Sequence, residues 1–177
     1  MRIGAEAAQG AESEGTHDSP PPGTYRATIA KFWDCGIHRD LRDAESKPKR
    51  KVCVAVELGQ DIETGKVWRD SKGRVAVLFL KFNASLFKKE GKPTSYLRAF
   101  LDKILPDMAE AQIKETGDVD TAAWECEPCR VNVVAGAKRS EIETVMPAKP
   151  TDERAKLEAD YSEPFGLAKW LIENQVK

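Results

Sequence analysis

No apolar run in the 177-residue chain is long enough to cross a membrane, and residues 1–22 lack the apolar stretch of a secretory leader. A soluble, cytoplasmic protein is expected, in the host cytoplasm if the source is viral. Cysteine is scarce. Four residues, at 35, 53, 126 and 129, are too few for a disulfide scaffold at this length, so reduced thiols are expected. A glycine-rich phosphate loop, a nucleophile elbow and a histidine-rich metal constellation are all missing. Glu57, Asp61 and Glu63 suggest a nuclease carboxylate cluster, but Asp61 and Glu63 fall in a turn and no Glu-x-Lys completes a metal site. No enzyme is expected.

Cys126-Glu127-Pro128-Cys129 has the spacing of a metal knuckle or redox pair. Zinc requires four ligands. Cys35, Cys53, His17 and His38 remain, without a second paired spacing. Cys129 opens a strand and reads as a small buried apolar residue. Neither metal nor cofactor is expected.

Net charge is nearly absent as well, at −1, which by itself argues against a nucleic-acid partner. Its distribution argues the other way. Residues 26–51 carry eight Lys/Arg against four Asp/Glu, and residues 66–103 carry ten against three. Residues 104–163 reverse the sign, with seven against fourteen. Such segregation gives a nearly neutral molecule a basic surface, and the local field governs binding.

What is present is enough apolar residue, 41%, for one core, with 32% charge to dress it. Residues 73–86, GRVAVLFLKFNASL, have the strongest β-propensity. By alternation Ala76, Leu78, Leu80 and Phe82 face inward, while Val75, Val77, Phe79, Lys81 and Asn83 face outward. A first strand spans 23–34, with Tyr25, Ala27 and Ile29 on one face and a bulge at Lys31-Phe32-Trp33. A second, 52–58, turns Val52, Val54, Val56 and Leu58 inward and Lys51, Cys53, Ala55 and Glu57 outward. After Pro93-Thr94-Ser95, the positions of Leu97, Phe100, Leu101 and Ile104 predict an amphipathic helix, and 108–115 adds a turn or two stopped by Gly117. Strands four and five occupy 129–135 and 140–146, and Ser162-Glu163-Pro164 opens a closing helix.

The fold class is therefore mainly β. The order matches a five-stranded oligonucleotide/oligosaccharide-binding (OB) barrel with a helix between strands three and four and a C-terminal helix. The expected divisions are a disordered arm at 1–22, the barrel at 23–147, an acidic linker at 148–161 and a helix at 162–177.

Several local patterns bear on function. Pro22-Gly23-Thr24-Tyr25 is followed by Asp34-Cys35-Gly36; Phe82-Asn83-Ala84-Ser85-Leu86 precedes Lys88-Lys89 and Tyr96-Leu97-Arg98-Ala99-Phe100-Leu101. Pro128-Cys129-Arg130-Val131-Asn132-Val133-Val134 leads to Ile142, Val145 and Pro147, and Pro164-Phe165-x-Leu167-x-x-Trp170-Leu171 closes the chain. In order and spacing these motifs resemble the OB-fold single-stranded-DNA-binding proteins of bacteriophage replication and recombination modules. The chain departs from that pattern at Glu125-Cys126-Glu127, where Gly-Lys is usual. The resemblance implies binding of single-stranded DNA without strong sequence preference, and no catalysis.

Such binding needs cations along the phosphates and π faces for the bases. In OB domains the groove crosses strands two and three, rimmed by the loops between strands one and two and between strands four and five. Placed on this chain, the groove residues are Lys49, Arg50 and Lys51; Trp68, Arg69, Lys72 and Arg74; Phe79 and Lys81; and Lys138 and Arg139. Two of the rings have a second reading: Trp68 as a cap on the barrel core, and Phe79 as a surface beneath the C-terminal helix. Trp33 is likewise either groove or core. The acidic run Asp152, Glu153, Glu158, Asp160 and Glu163, leading to Phe165 and Trp170, suggests recruitment of replication or recombination proteins by analogy. Its alternative is a helix packed on the barrel and a solvated linker. The competing function is a protein-interaction module using the barrel edge or that helix. Outward Val75 and Val77 hint at a covered surface and self-association.

Overall fold

The computed structural model describes residues 19–40, 42–43 and 45–176; the expected arm over 1–18, with His17, lies outside the described residues. Residues 19–22 are not an arm. Pro20 is buried, the Tyr25 hydroxyl donates to the Pro21 carbonyl at 2.6 Å, and the Ser140 hydroxyl donates to the Pro20 carbonyl.

The strands are β1 (Gly23–His38), β2 (Lys49–Asp61), β3 (Val77–Asn83), β4 (Pro128–Ala135) and β5 (Ser140–Pro147). They form one antiparallel sheet in the order β3-β2-β1-β4-β5. Helices α1 (Tyr96–Ile104) and α2 (Met108–Thr116) and a 3-10 turn (Thr121–Trp124) lie between β3 and β4, and α3 (Gly166–Glu173) follows β5. β1 and β2 outrun their expected lengths because each extends the other, through Ile37↔Arg50 and His38↔Lys49. Local propensity ends at Asp34; cross-strand pairing does not.

Register shifts at Tyr25/Ala27, Ile29/Lys31 and Asp34/Ile37 bend β1; the middle one falls just before the expected bulge, and Lys31, Phe32 and Trp33 themselves pair regularly with Ala55, Val54 and Cys53. Its first residues pair with both β2 and β4, from Gly23↔Val133 to Thr28↔Pro128. The sheet curls until β3 and β5 touch, without a hydrogen-bonded ladder between them among the described residues. The result is a half-barrel.

Inside it, Ile29, Val54, Val56, Leu101 and Val131 are wholly buried. Each such side chain contributes about 1.5–3 kcal/mol relative to exposure. Leu97, Phe100 and Leu101 dock α1 on this core, and the buried Trp124 indole donates to the Leu101 carbonyl at 3.0 Å. The expected inward face of β3 is correct, with Ala76 and Leu78 buried and Leu80 and Phe82 packed on the core.

The outer face is not solvent. Trp33, Cys53 and Ala55 are buried there in a second apolar cluster with Ala30, Cys35, Ala168 and Leu171, joined at its edge by Val77 and Phe79. β2 therefore buries both faces along its middle. The cover that Val77 seeks comes from the C-terminal segment of its own chain.

Candidate nucleic-acid interface

The residues assigned to the groove separate into an open end and a covered middle. At the open end, β2 begins with Lys49, Arg50 and Lys51, and the register sets Lys51 opposite Asn83 and Cys53 opposite Lys81. Alternation puts Lys51, Lys81 and Asn83 on the same outer face. The Lys51 ammonium donates to Asn83 Oδ1 and is half-buried. It is held below its ordinary pKa, first by desolvation and then by the charges of Lys81 and Lys49. Lys49, two residues before Lys51 in β2, falls on that same outer face by alternation. Arg50 Nε donates to Asp34 Oδ1 at 3.0 Å and its Nη2 to Oδ2, which lowers the Asp34 pKa. Both partners are solvent-exposed.

Lys81 also lines a cleft of about 390 Å³ along the β3–β5 seam, with Arg139 on its far side and Glu141 in its wall. Lys138 and Arg139 are exposed in the β4–β5 turn. Lys49, Lys51, Lys81 and Arg139 therefore follow one another across one side of the half-barrel.

The covered middle corrects several expectations. Arg69 is not free for phosphate: its Nη1 and Nη2 bind the Glu158 carboxylate at 2.7 and 2.9 Å. Arg74 Nε is paired with Asp70 at 2.8 Å. Trp68 packs against the barrel core, its second reading. Lys72 remains exposed in the adjacent turn. Phe79 stands edge-on to Phe165, with centroids 5.4 Å apart, and lies 6.4 Å from Trp33, so its outward face meets protein rather than solvent. Trp33 belongs to that same cluster and is core.

What covers them is the expected linker, which is not a linker. Asp152, whose side chain is 2% exposed, accepts from Arg130 at 2.8 and 3.0 Å and from Arg26 at 3.1 Å. Glu57, outward-facing and buried, accepts from the backbone N–H groups of Glu158 and Ala159 and from the Tyr161 hydroxyl at 2.7 Å. A buried carboxylate requires such donors. Burial and the Glu57 charge raise the Tyr161 pKa, so the phenol stays protonated. Of the two expected partner-contacting rings, Phe165 is engaged with Trp33, Phe79 and Tyr161. Trp170, 56% exposed, is open.

The sequence reading missed part of the open end. Tyr96, at the start of α1, is 84% exposed, and Phe87 is exposed nearby. A recess of about 450 Å³ is lined by Lys49, Arg50, Asn83, Ala84, Ser85, Ser95 and Tyr96, with no carboxylate among them. Its two walls are tied together, since Ser95 Oγ donates to the Ser85 carbonyl at 2.6 Å and Ser95 N to the Phe87 carbonyl at 2.9 Å. Arg98, with a side chain 3% exposed, holds the loop from below through Leu86 O, Asp102 and Glu110. Helical spacing gave no signal for Tyr96, because it lies four residues before Phe100, at the edge of the stripe formed by Leu97, Phe100 and Leu101.

Among the described residues no group of three or more His, Cys, Asp or Glu is disposed to hold a metal. Cys126 is exposed and Cys129 buried in the core, so the two point to different surroundings. Burial pushes the Cys129 and Cys53 thiols up to about 12. No helix among the described residues is long and apolar enough to cross a membrane. No protein-family model, curated protein or solved structure matches the chain.

Proposed function

We propose that this protein binds single-stranded DNA, without catalysis and largely without regard to sequence, on the outer side of an OB-type barrel, in replication, recombination or repair. The strand order, the contact between edge strands β3 and β5 and the helices between β3 and β4 support the OB reading. The observation that carries the function is the placement of Lys49, Lys51 and Lys81 on one outer face at the open ends of β2 and β3, with the exposed Tyr96 ring sharing a recess with Lys49. Like charges repel in the free protein, and a phosphate chain relieves the repulsion. Each stacked base contributes about 1–3 kcal/mol, and each phosphate contact adds about 0.7 to the negative slope of log affinity against log salt.

The test is fluorescence anisotropy of a labelled oligo-dT at two salt concentrations. Affinity that falls steeply with salt supports the reading; no binding at low salt overturns it. A second reading rests on Trp170: its exposed ring on α3 suits recruitment of a replication or recombination protein. On that reading Trp170→Ala loses the partner and leaves oligonucleotide affinity unchanged.

A further inference from the structure

We propose that the recess between the start of β2, the end of β3 and the first turn of α1 is a single-nucleotide subsite: Tyr96 stacks the base, Lys49 and Arg50 hold its phosphate, and the Asn83 amide selects thymine over cytosine. The inference rests on the nucleic-acid reading above and deepens it. At about 450 Å³ the recess lies in the range of small-ligand sites, about 300–1,000 Å³. Every charged group in its wall is cationic. The carboxylate nearest Arg50, Asp34, forms an exposed ion pair with it, an interaction of little net worth that a phosphate can replace. Tyr96 presents its ring almost wholly to solvent at the rim, where an unstacked base would find it.

Base selection follows from the orientation of one amide. A lysine ammonium only donates, so the Asn83 atom facing Lys51 is the carbonyl oxygen. The amide nitrogen then points away from Lys51, and among the described residues it has no acceptor of its own. Two N–H donors are left for a ligand. Thymine presents a carbonyl oxygen at position 4, where cytosine presents an amino group. Donor meets acceptor in the first case and donor meets donor in the second. The lysine that helps attract the phosphate chain also fixes the amide that reads the base.

The experiment compares labelled dT and dC oligonucleotides of about 12 residues, pyrimidines of similar stacking, within the span one such domain covers. Wild type is expected to bind dT about 3- to 10-fold more tightly, the worth of one hydrogen bond. Asn83→Ala is expected to bring the ratio to one, and Asn83→Asp, whose carboxylate only accepts and so suits the cytosine amino group, to one or below. Asn83→Asp keeps an acceptor for Lys51 while losing both donors, so it separates base reading from support of Lys51. Tyr96→Ala is expected to weaken both ligands about 5- to 150-fold with an unchanged circular-dichroism spectrum, since the residue is 84% exposed. A wild-type ratio of one, a preference that survives in Asn83→Asp, or a Tyr96→Ala variant that binds normally overturns the subsite and leaves the broader reading standing. Failure of wild type to bind either oligonucleotide overturns both.

Discussion

Asp152→Asn isolates the charge that anchors the C-terminal segment, with almost no change in side-chain size. The Asp152 carboxylate accepts from Arg130 Nε and Nη2, from Arg26 Nε and from the Lys149 backbone at 2.8 Å. The Arg130 hydrogen bonds lower its pKa first, against the opposing cost of burial, from 3.8 to about 2. At about 1.4 kcal/mol per pKa unit that is roughly 2.4 kcal/mol, reduced to about 1–2 because the Arg26 side chain is 44% exposed and screened. Asparagine also leaves the Arg130 guanidinium, whose side chain is only 12% exposed, without its counter-charge, so the full cost is about 2–3 kcal/mol. For a domain of this size the melting temperature then falls by about 4–12 °C.

The sign of the pH effect is fixed. The folded value lies below the unfolded one, so the stabilisation is complete above about pH 4 and is lost as pH falls through about 2. Asp34, Asp70, Glu110, Glu158 and Asp160 are also lowered, so the informative quantity is the difference between wild type and variant. Melts from pH 7 to pH 2 are expected to show a wide gap at pH 7 that narrows below pH 4. Equal melting temperatures at pH 7 would refute the anchoring role of this carboxylate.

Three further outcomes are expected. Replacing Lys49, Arg50 and Lys51 together by Glu is expected to abolish oligo-dT binding while the far-ultraviolet spectrum stays native, because all three side chains lie at the open end of the sheet; unchanged affinity would show that this end is not the interface. Gly166→Ala is expected to lower stability by about 1–3 kcal/mol in a urea titration, because Gly166 has φ +54° and its new Cβ would lie 2.7 Å from the Phe79 ring. Of the four cysteines only Cys126 is exposed. A thiol reagent is expected to titrate one group quickly in the native protein and three more only after unfolding, and two fast thiols would contradict the burial of Cys129.

The docked segment gives the open end its importance. While Glu57 and Asp152 hold residues 149–161 on the sheet, Phe79, Trp33 and Arg69 face their own chain. A groove drawn over the full width of β2 and β3 would need that segment to leave. The side left open runs from the recess under Tyr96 past Lys51 and Lys81 to Arg139.

The sequence by itself determined what depends on near neighbours in the chain. Alternation marked the inner faces of β2, β3 and β4, because side chains two apart in a strand share a face whatever lies beyond it. Helical spacing marked Leu97, Phe100 and Leu101 as the buried stripe of α1, and the clustering of Lys49, Arg50 and Lys51 needed only adjacency. Tertiary structure alone decided which charges and rings were available. Arg69 meets Glu158 across 89 positions and Glu57 meets Tyr161 across 104, so composition gave the sign of each group but not its partner. Phe79, outward by alternation, was covered because a second apolar surface, carried by Phe165 and Leu171, found the same face of the sheet. Burial is a property of both surfaces, and the second lay nearly 90 residues away.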